Sequence, residues 1–231
     1  MSTPPHEVAR ALSERGELVL LQRHRDDAGT VLELRANGVF VMDTAETSTE
    51  RALASAALAT VTDPRAVLVG GLGLGFTLAE VLADARVRTC TVVEIEPALV
   101  GWLRDGTVPH GPALLADPRV AVVIADVAGV LADAAPSAYD LVLLDVDNGP
   151  GYLVHEENAA LYRAPLLAAT RRALRPGGRL VVWSADRAPA LHAALVEVYA
   201  EQHVTEQPLA VRLQGRDEQY WLYLARVPSR T

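Results

Sequence analysis

AVLVGGLGLGFTLAEVLADARVRTCTVVEIE, Ala66 to Glu96, is the stretch from which the rest of the chain can be read. Val67, Leu68 and Val69 form an apolar run suited to a strand buried on both faces, as in a parallel sheet. Gly70, Gly71, Gly73 and Gly75 follow at once, and Leu78, Val81, Leu82 and Ala85 then recur at helical spacing. A second apolar run, Thr91 to Val93, ends on Glu94 and Glu96. Strand, glycine turn, helix and strand ending in acid is the unit that binds a nucleoside-containing ligand on a doubly wound sheet. The glycines let backbone approach the ligand, and a carboxylate about twenty residues on can hold the two hydroxyls of a ribose.

Glycine spacing narrows the ligand. A dinucleotide fingerprint, G-x-G-x-x-G, fails in either register, because its last position falls on Phe76 or on Leu78. The register that fits, Gly71-x-Gly73-x-Gly75, resembles the first motif of S-adenosylmethionine (SAM)-dependent methyltransferases. Gly71, Gly73, Gly75, Glu94 and Ile95 are therefore candidate cofactor-binding residues.

Composition excludes several other classes. The 231 residues suit one large domain or one with a small appendage, and half are apolar. No run approaches the ~20 apolar residues of a membrane span, and the N-terminus lacks the pattern of a signal peptide. Net charge is −8, every basic residue is an arginine, and no basic run occurs, which argues against a nucleic-acid partner. A single cysteine, Cys90, permits neither an intrachain disulfide nor a cysteine zinc cluster, and no His–His metal pattern is present. A cytoplasmic protein acting on a small molecule, with no metal, is the expectation.

Along the chain, residues 1–16 read as a loose lead-in or short helix. Residues 17–43 then read as an antiparallel unit whose Asn37-Gly38 lies between alternating apolar runs, a strong hairpin signal. Ser48 to Thr60 should be a helix, capped by Thr47 or Ser48. From Ala66 strands and helices alternate: strands over 66–70, 89–94, 120–124, 139–145 and 178–183, with helices between them and a Gly/Pro-rich loop over 106–118. Two strands, 203–213 and 218–227, close the chain as a hairpin. The expected fold is α/β: a doubly wound, mostly parallel seven-stranded methyltransferase-like (Rossmann-like) sheet with a small N-terminal antiparallel β unit. The expected division is 1–62 for the β unit with its linking helix and 63–231 for the cofactor-binding part.

Doubly wound sheets bind ligands at the carboxyl ends of their strands. Beyond the glycines and Glu94, those ends carry Asp126, followed by Val127, and Asp145 with Asp147. Asp126 can receive an adenine amino group, cap the next helix, or do both. Alternation puts Asp145 and Asp147 on one side of their strand, where they could hold an amino group, balance a sulfonium charge or accept a proton. The following loop offers Tyr152 and His155 as candidate substrate contacts.

Together, the N-terminal strand unit, GGLGLG, VVEIEP, the acid after the third strand, YDLVLLD with Gly149-Pro150, and LRPGGRLVVWS resemble the spermidine synthase group of the methyltransferase-like fold. The resemblance covers roughly residues 17–225. It implies a SAM-type nucleoside cofactor, often a homodimer, and a strand-four aspartate as general base for an attacking amine. It also has departures. The aspartate of that group's GGGDG motif is missing, with Leu72 and Leu74 in the turn; its DSSDP-like segment reads Asp145-Val146-Asp147-Asn148; and TSTERAL lacks the tyrosine of its DEFxYxE-like stretch. These departures put methyl transfer from SAM to a small molecule first. Aminopropyl transfer from decarboxylated SAM to an amine is the alternative, followed by a nucleoside-binding homologue without catalysis.

Overall fold

The computed structural model describes residues 5–26, 28–146, 156–213 and 216–229, with side chains undescribed at 156–157, 212–213 and 216. The chain forms β1 (His6–Ser13), β2 (Gly16–Arg25), β3 (Gly29–Ala36), β4 (Val39–Asp43), α1 (Ser48–Ala59), β5 (Ala66–Gly70), α2 (Phe76–Ala83), β6 (Thr89–Glu94) and α3 (Pro97–Asp105). It continues through α4 (Gly111–Leu115), β7 (Val120–Ile124), α5 (Val127–Asp133), β8 (Tyr139–Leu144), α6 (Ala164–Ala173), β9 (Leu174–Ser184), α7 (Pro189–Tyr199), β10 (Val204–Leu213) and β11 (Arg216–Arg226).

Strands β1 to β4 make a four-stranded antiparallel meander. The other strands make a seven-stranded sheet in the order β10-β11-β9-β8-β5-β6-β7, parallel from β9 to β7 and antiparallel at the β10–β11 edge. This is the expected α/β architecture. Alternation along each central strand feeds two cores. Val67, Val69, Leu141 and Leu143 face α1, α2, α3 and the meander. Leu68, Val142 and Leu144 face α5, α6 and α7. Fully burying an aliphatic side chain of this kind contributes about 1.5–3 kcal/mol, so both faces of the sheet are needed. Cys90 is wholly enclosed in the first core, and burial pushes its thiol up to about 12, as suits a small apolar residue.

The structure corrects four local expectations. Residues 6–13 are neither loose nor helical but an edge strand, paired to β2 with a register shift between Glu7 and Ala9. Pairing here outweighs the helix-favouring composition of HEVARALS. The 106–118 loop contains the short helix α4. β9 begins at Leu174, four residues before the expected start: Leu174 already pairs with Tyr139, and the register against β8 then shifts, with Gly177 at φ +83°, before Arg179 pairs with Leu141. Thr47 occupies the cap position of α1 without a side-chain cap; Ser48 N–H donates instead to Glu46 Oε1 at 2.8 Å. Asn37, at φ 52°, does turn the β3–β4 hairpin.

Candidate functional site

β5 lies between β6 and β8, with Gly70 beside Val93 on one side and Leu144 on the other. The three strand ends are therefore held together. Gly71 N–H donates to Val93 O at 2.9 Å, and Asp145 N–H donates to Gly70 O at 2.8 Å. Gly71 has φ +91°, and a Cβ there would meet Asp145 O at 2.1 Å, so only glycine fits. The turn then runs through Gly73 to Gly75, whose left-handed backbone opens α2. One cavity runs along these ends. Gly71, Gly73, Glu94, Ile95, Asp126, Val127 and Asp145 all line it; Gly75 does not.

Glu94 is buried, and both its oxygens already accept backbone N–H groups: Leu72 at 2.9 Å and Glu96 at 2.8 Å. Burial pushes its carboxyl above the ordinary range, while these hydrogen bonds pull it partly back. Glu94 thus ties the glycine turn to β6 and lines the cavity. Glu96, also buried, lines the same wall and accepts from Ser13 Oγ at 3.2 Å, across 83 positions of sequence. Asp126 accepts from Ala128 N at 2.8 Å as the cap of α5, and it lines the cavity as well.

At the other end sits Asp145. Thr77 Oγ1, in the first turn of α2, lies 2.6 Å from Asp145 Oδ2 and 3.3 Å from Glu50 O. A hydroxyl has one proton, and the shorter contact takes it. Burial pushes the Asp145 carboxyl upward, and the Thr77 hydrogen bond opposes that shift. Glu50, from the first turn of α1, lines the cavity too; burial, with Asp145 nearby, pushes it up to about 7. The described lining carries six acids (Glu17, Glu50, Glu94, Glu96, Asp126 and Asp145) against one base, Arg15.

Glu50, Thr77 and Trp183 are site residues that sequence reasoning did not nominate. Trp183, near the end of β9, is buried and yet walls the cavity. Its ring stacks on Tyr220 at 5.4 Å between centroids, and its Nε1 has no hydrogen-bond partner among the described residues. The meander closes the remaining wall with Leu18, Leu34, Val41 and Met42. Its turns are stitched by Asn37, whose Oδ1 accepts from Glu17 N at 2.9 Å while its Nδ2 donates to Arg15 O at 3.1 Å. Asp147, Tyr152 and His155 lie outside the described residues.

The family model for the spermine/spermidine synthase domain matches residues 46–207 of this chain. The chain belongs to that family. Spermidine synthase-like relatives include polyamine aminopropyltransferase 2 of Pseudomonas aeruginosa, 36% identical over 124 residues, or 52% of this chain and 33% of that one. Putrescine N-methyltransferase 3 of Nicotiana tabacum is 33% identical over 123 residues, 52% of this chain and 30% of that one. The matched stretch thus spans about a third of the length of these curated relatives. In fold, the chain resembles spermidine synthase from Thermotoga maritima, with TM-score 0.76 and 18% identity over 95% of this chain and 72% of that chain. A spermidine synthase solved with the transition-state analogue AdoDATO gives TM-score 0.77 at 18% identity, covering 95% and 73%. The protein is a spermidine synthase-like member of the SAM-binding transferase superfamily. Among its described residues no helix is long and apolar enough to cross a membrane.

Proposed function

We propose that this protein transfers the aminopropyl group of decarboxylated SAM to an amine. Family membership and the spermidine synthase likeness support binding of SAM or decarboxylated SAM. The site fits such a molecule: the glycine cradle excludes any Cβ at Gly71, Ile95 and Val127 offer an apolar slot for a base, and Glu94 and Glu96 stand where ribose hydroxyls would lie. The sequence alone ranked methyl transfer first, but the acid balance of the cavity favours the alternative.

The carrying observation is that Asp145 and Glu50 share one end of the cavity with no ion pair to a described residue. SAM brings a carboxylate toward such a place, which two acids disfavour. Decarboxylated SAM brings an ammonium and a sulfonium, and the acceptor is itself an amine cation. Leu72 and Leu74 are both buried in the core, and neither lines the cavity. In this reading Glu50 supplies, from α1, an acid that the glycine turn lacks.

The bound sulfonium supplies an activated carbon with a thioether nucleoside as leaving group. The chain does the rest: Glu50 holds a cationic amine, and Asp145 takes the proton from the attacking nitrogen as its N–C bond forms and the C–S bond breaks. An Asp145 pKa raised by burial suits a base.

Methyl transfer to an amine is the second reading, favoured by the leucines in the glycine turn and by the N-methyltransferases among the relatives. Calorimetric titration with decarboxylated SAM and, separately, SAM decides between them, repeated on Asp145→Asn. Tighter binding of the decarboxylated form and an aminopropylated product by mass spectrometry are expected. Tighter binding of SAM, with a methylated product, would overturn the proposal.

A further inference from the structure

Trp183 carries a buried donor that a plain diamine does not satisfy. β8 and β9 are parallel neighbours with Leu144 beside Val182, so the next pair in line is Asp145 and Trp183. Both residues line the cavity. Trp183 and Val181 share the core on the same face of the sheet as Leu141 and Leu143. Its side chain is thus one strand away from the carboxyl assigned as base. Trp183 is only 9% exposed, and its Nε1 is buried without an acceptor among the described residues. Indole nitrogen is a donor only, and buried tryptophan normally finds a partner for it. Leaving it unpaired costs the desolvation of the group, which a ligand can recover by bringing an acceptor.

An unbranched alkyl diamine in its cationic form brings none. Each ammonium end has three donors and no acceptor, and the chain between them is apolar. Glu50 and Trp183 line the same cavity, so the acid that suits the cation and the donor without a partner among the described residues share one pocket. We infer that the preferred acceptor is an amine carrying a hydrogen-bond-accepting oxygen (a hydroxyl, ether or carbonyl) a few bonds from the reacting nitrogen, and that Trp183 Nε1–H selects it. Because the N–H is sealed from water as the ring stands, engagement requires the indole to turn within its contact with Tyr220. This rests on the reading above, an amine acceptor with decarboxylated SAM as donor.

The test is calorimetric binding of 1,4-diaminobutane and of 2-hydroxy-1,4-diaminobutane to the full chain saturated with 5′-methylthioadenosine. The expected result is at least tenfold tighter binding of the hydroxylated amine, with Trp183→Phe reducing that ratio to within twofold. Equal binding, tighter binding of the plain diamine, no binding of either, or an unchanged ratio in Trp183→Phe would each overturn the inference. The native protein's ratio stands as a test by itself if the variant does not fold. A retained preference without any aminopropylated product would sink the proposed reaction and leave the pocket chemistry standing.

Discussion

Thr77 Oγ1 donates to Asp145 Oδ2 at 2.6 Å, joining the first turn of the helix after the glycines to the end of the fourth parallel strand. Thr77 is itself buried, so the pair is fixed away from water. It orients the carboxyl and opposes the upward shift that burial imposes. Thr77→Val is expected to lower kcat roughly tenfold, as for the loss of one hydrogen bond to a charged group. It should also move the acid limb of the pH–rate profile upward, and Thr77→Ser should restore both. Asp145→Asn should cost on the order of a hundredfold or more in kcat, the range of a general base.

Glu50 makes the site sensitive to pH. Its folded value of about 7 stands above the ordinary 4.5, so between these the folded state holds more protons than the unfolded one. The stabilisation is full below about 4.5 and is lost as pH rises through 7. Urea unfolding at pH 5 and pH 8 should therefore show Glu50→Gln relatively more stable at the higher pH, by on the order of 2 kcal/mol. A cationic amine favours the ionised form of Glu50, so amine affinity should rise between pH 6 and 8 in the native protein and stay flat in Glu50→Gln.

Two glycines, one in a left-handed turn and one inside a helix, should respond in opposite directions. Gly71→Ala puts a Cβ against the Asp145 carbonyl at a left-handed φ, and a loss of about 3 kcal/mol or more is expected from strain and overlap. Gly101, within α3, has nothing within 4 Å of a Cβ, so Gly101→Ala should gain about 0.5–1 kcal/mol. Urea midpoints on both variants check the pair.

Removing Glu94 should hurt folding as well as binding. Glu94→Ala leaves the Leu72 and Glu96 N–H groups without their acceptor. A loss of about 1–3 kcal/mol per group is expected, together with a weakened grip on 5′-methylthioadenosine. If calorimetry found nucleoside affinity unchanged, Glu94 would be a structural tie only.

What could be read from the sequence followed from local patterns. The glycine turn, the acids after β6, β7 and β8, and the Asn37-Gly38 hairpin each announce themselves within a few residues. What could not be read depends on pairing between distant segments. β1 has helix-compatible residues and becomes a strand only because β2 offers it an edge. Glu50 reads as an ordinary first-turn acid until α1 is laid against α2, which brings it to Thr77 and Asp145. Trp183 reads as core because it is core on one side; the β8–β9 register alone reveals that it stands level with Asp145.

The stretch matched by the family model begins at Glu46, after the meander has ended, while Leu18, Leu34, Val41 and Met42 belong to the cavity wall. Met42 reaches further, its sulfur accepting from Leu74 N at 3.2 Å within the glycine turn. The matched segment therefore holds the glycine turn and most of the acids of the site but only part of the cavity wall. Under the proposed reaction, changes in the first four strands can alter acceptor choice while leaving Asp145 and Glu50 as they are. Two proteins of this family can accordingly share their chemistry and still not share a substrate.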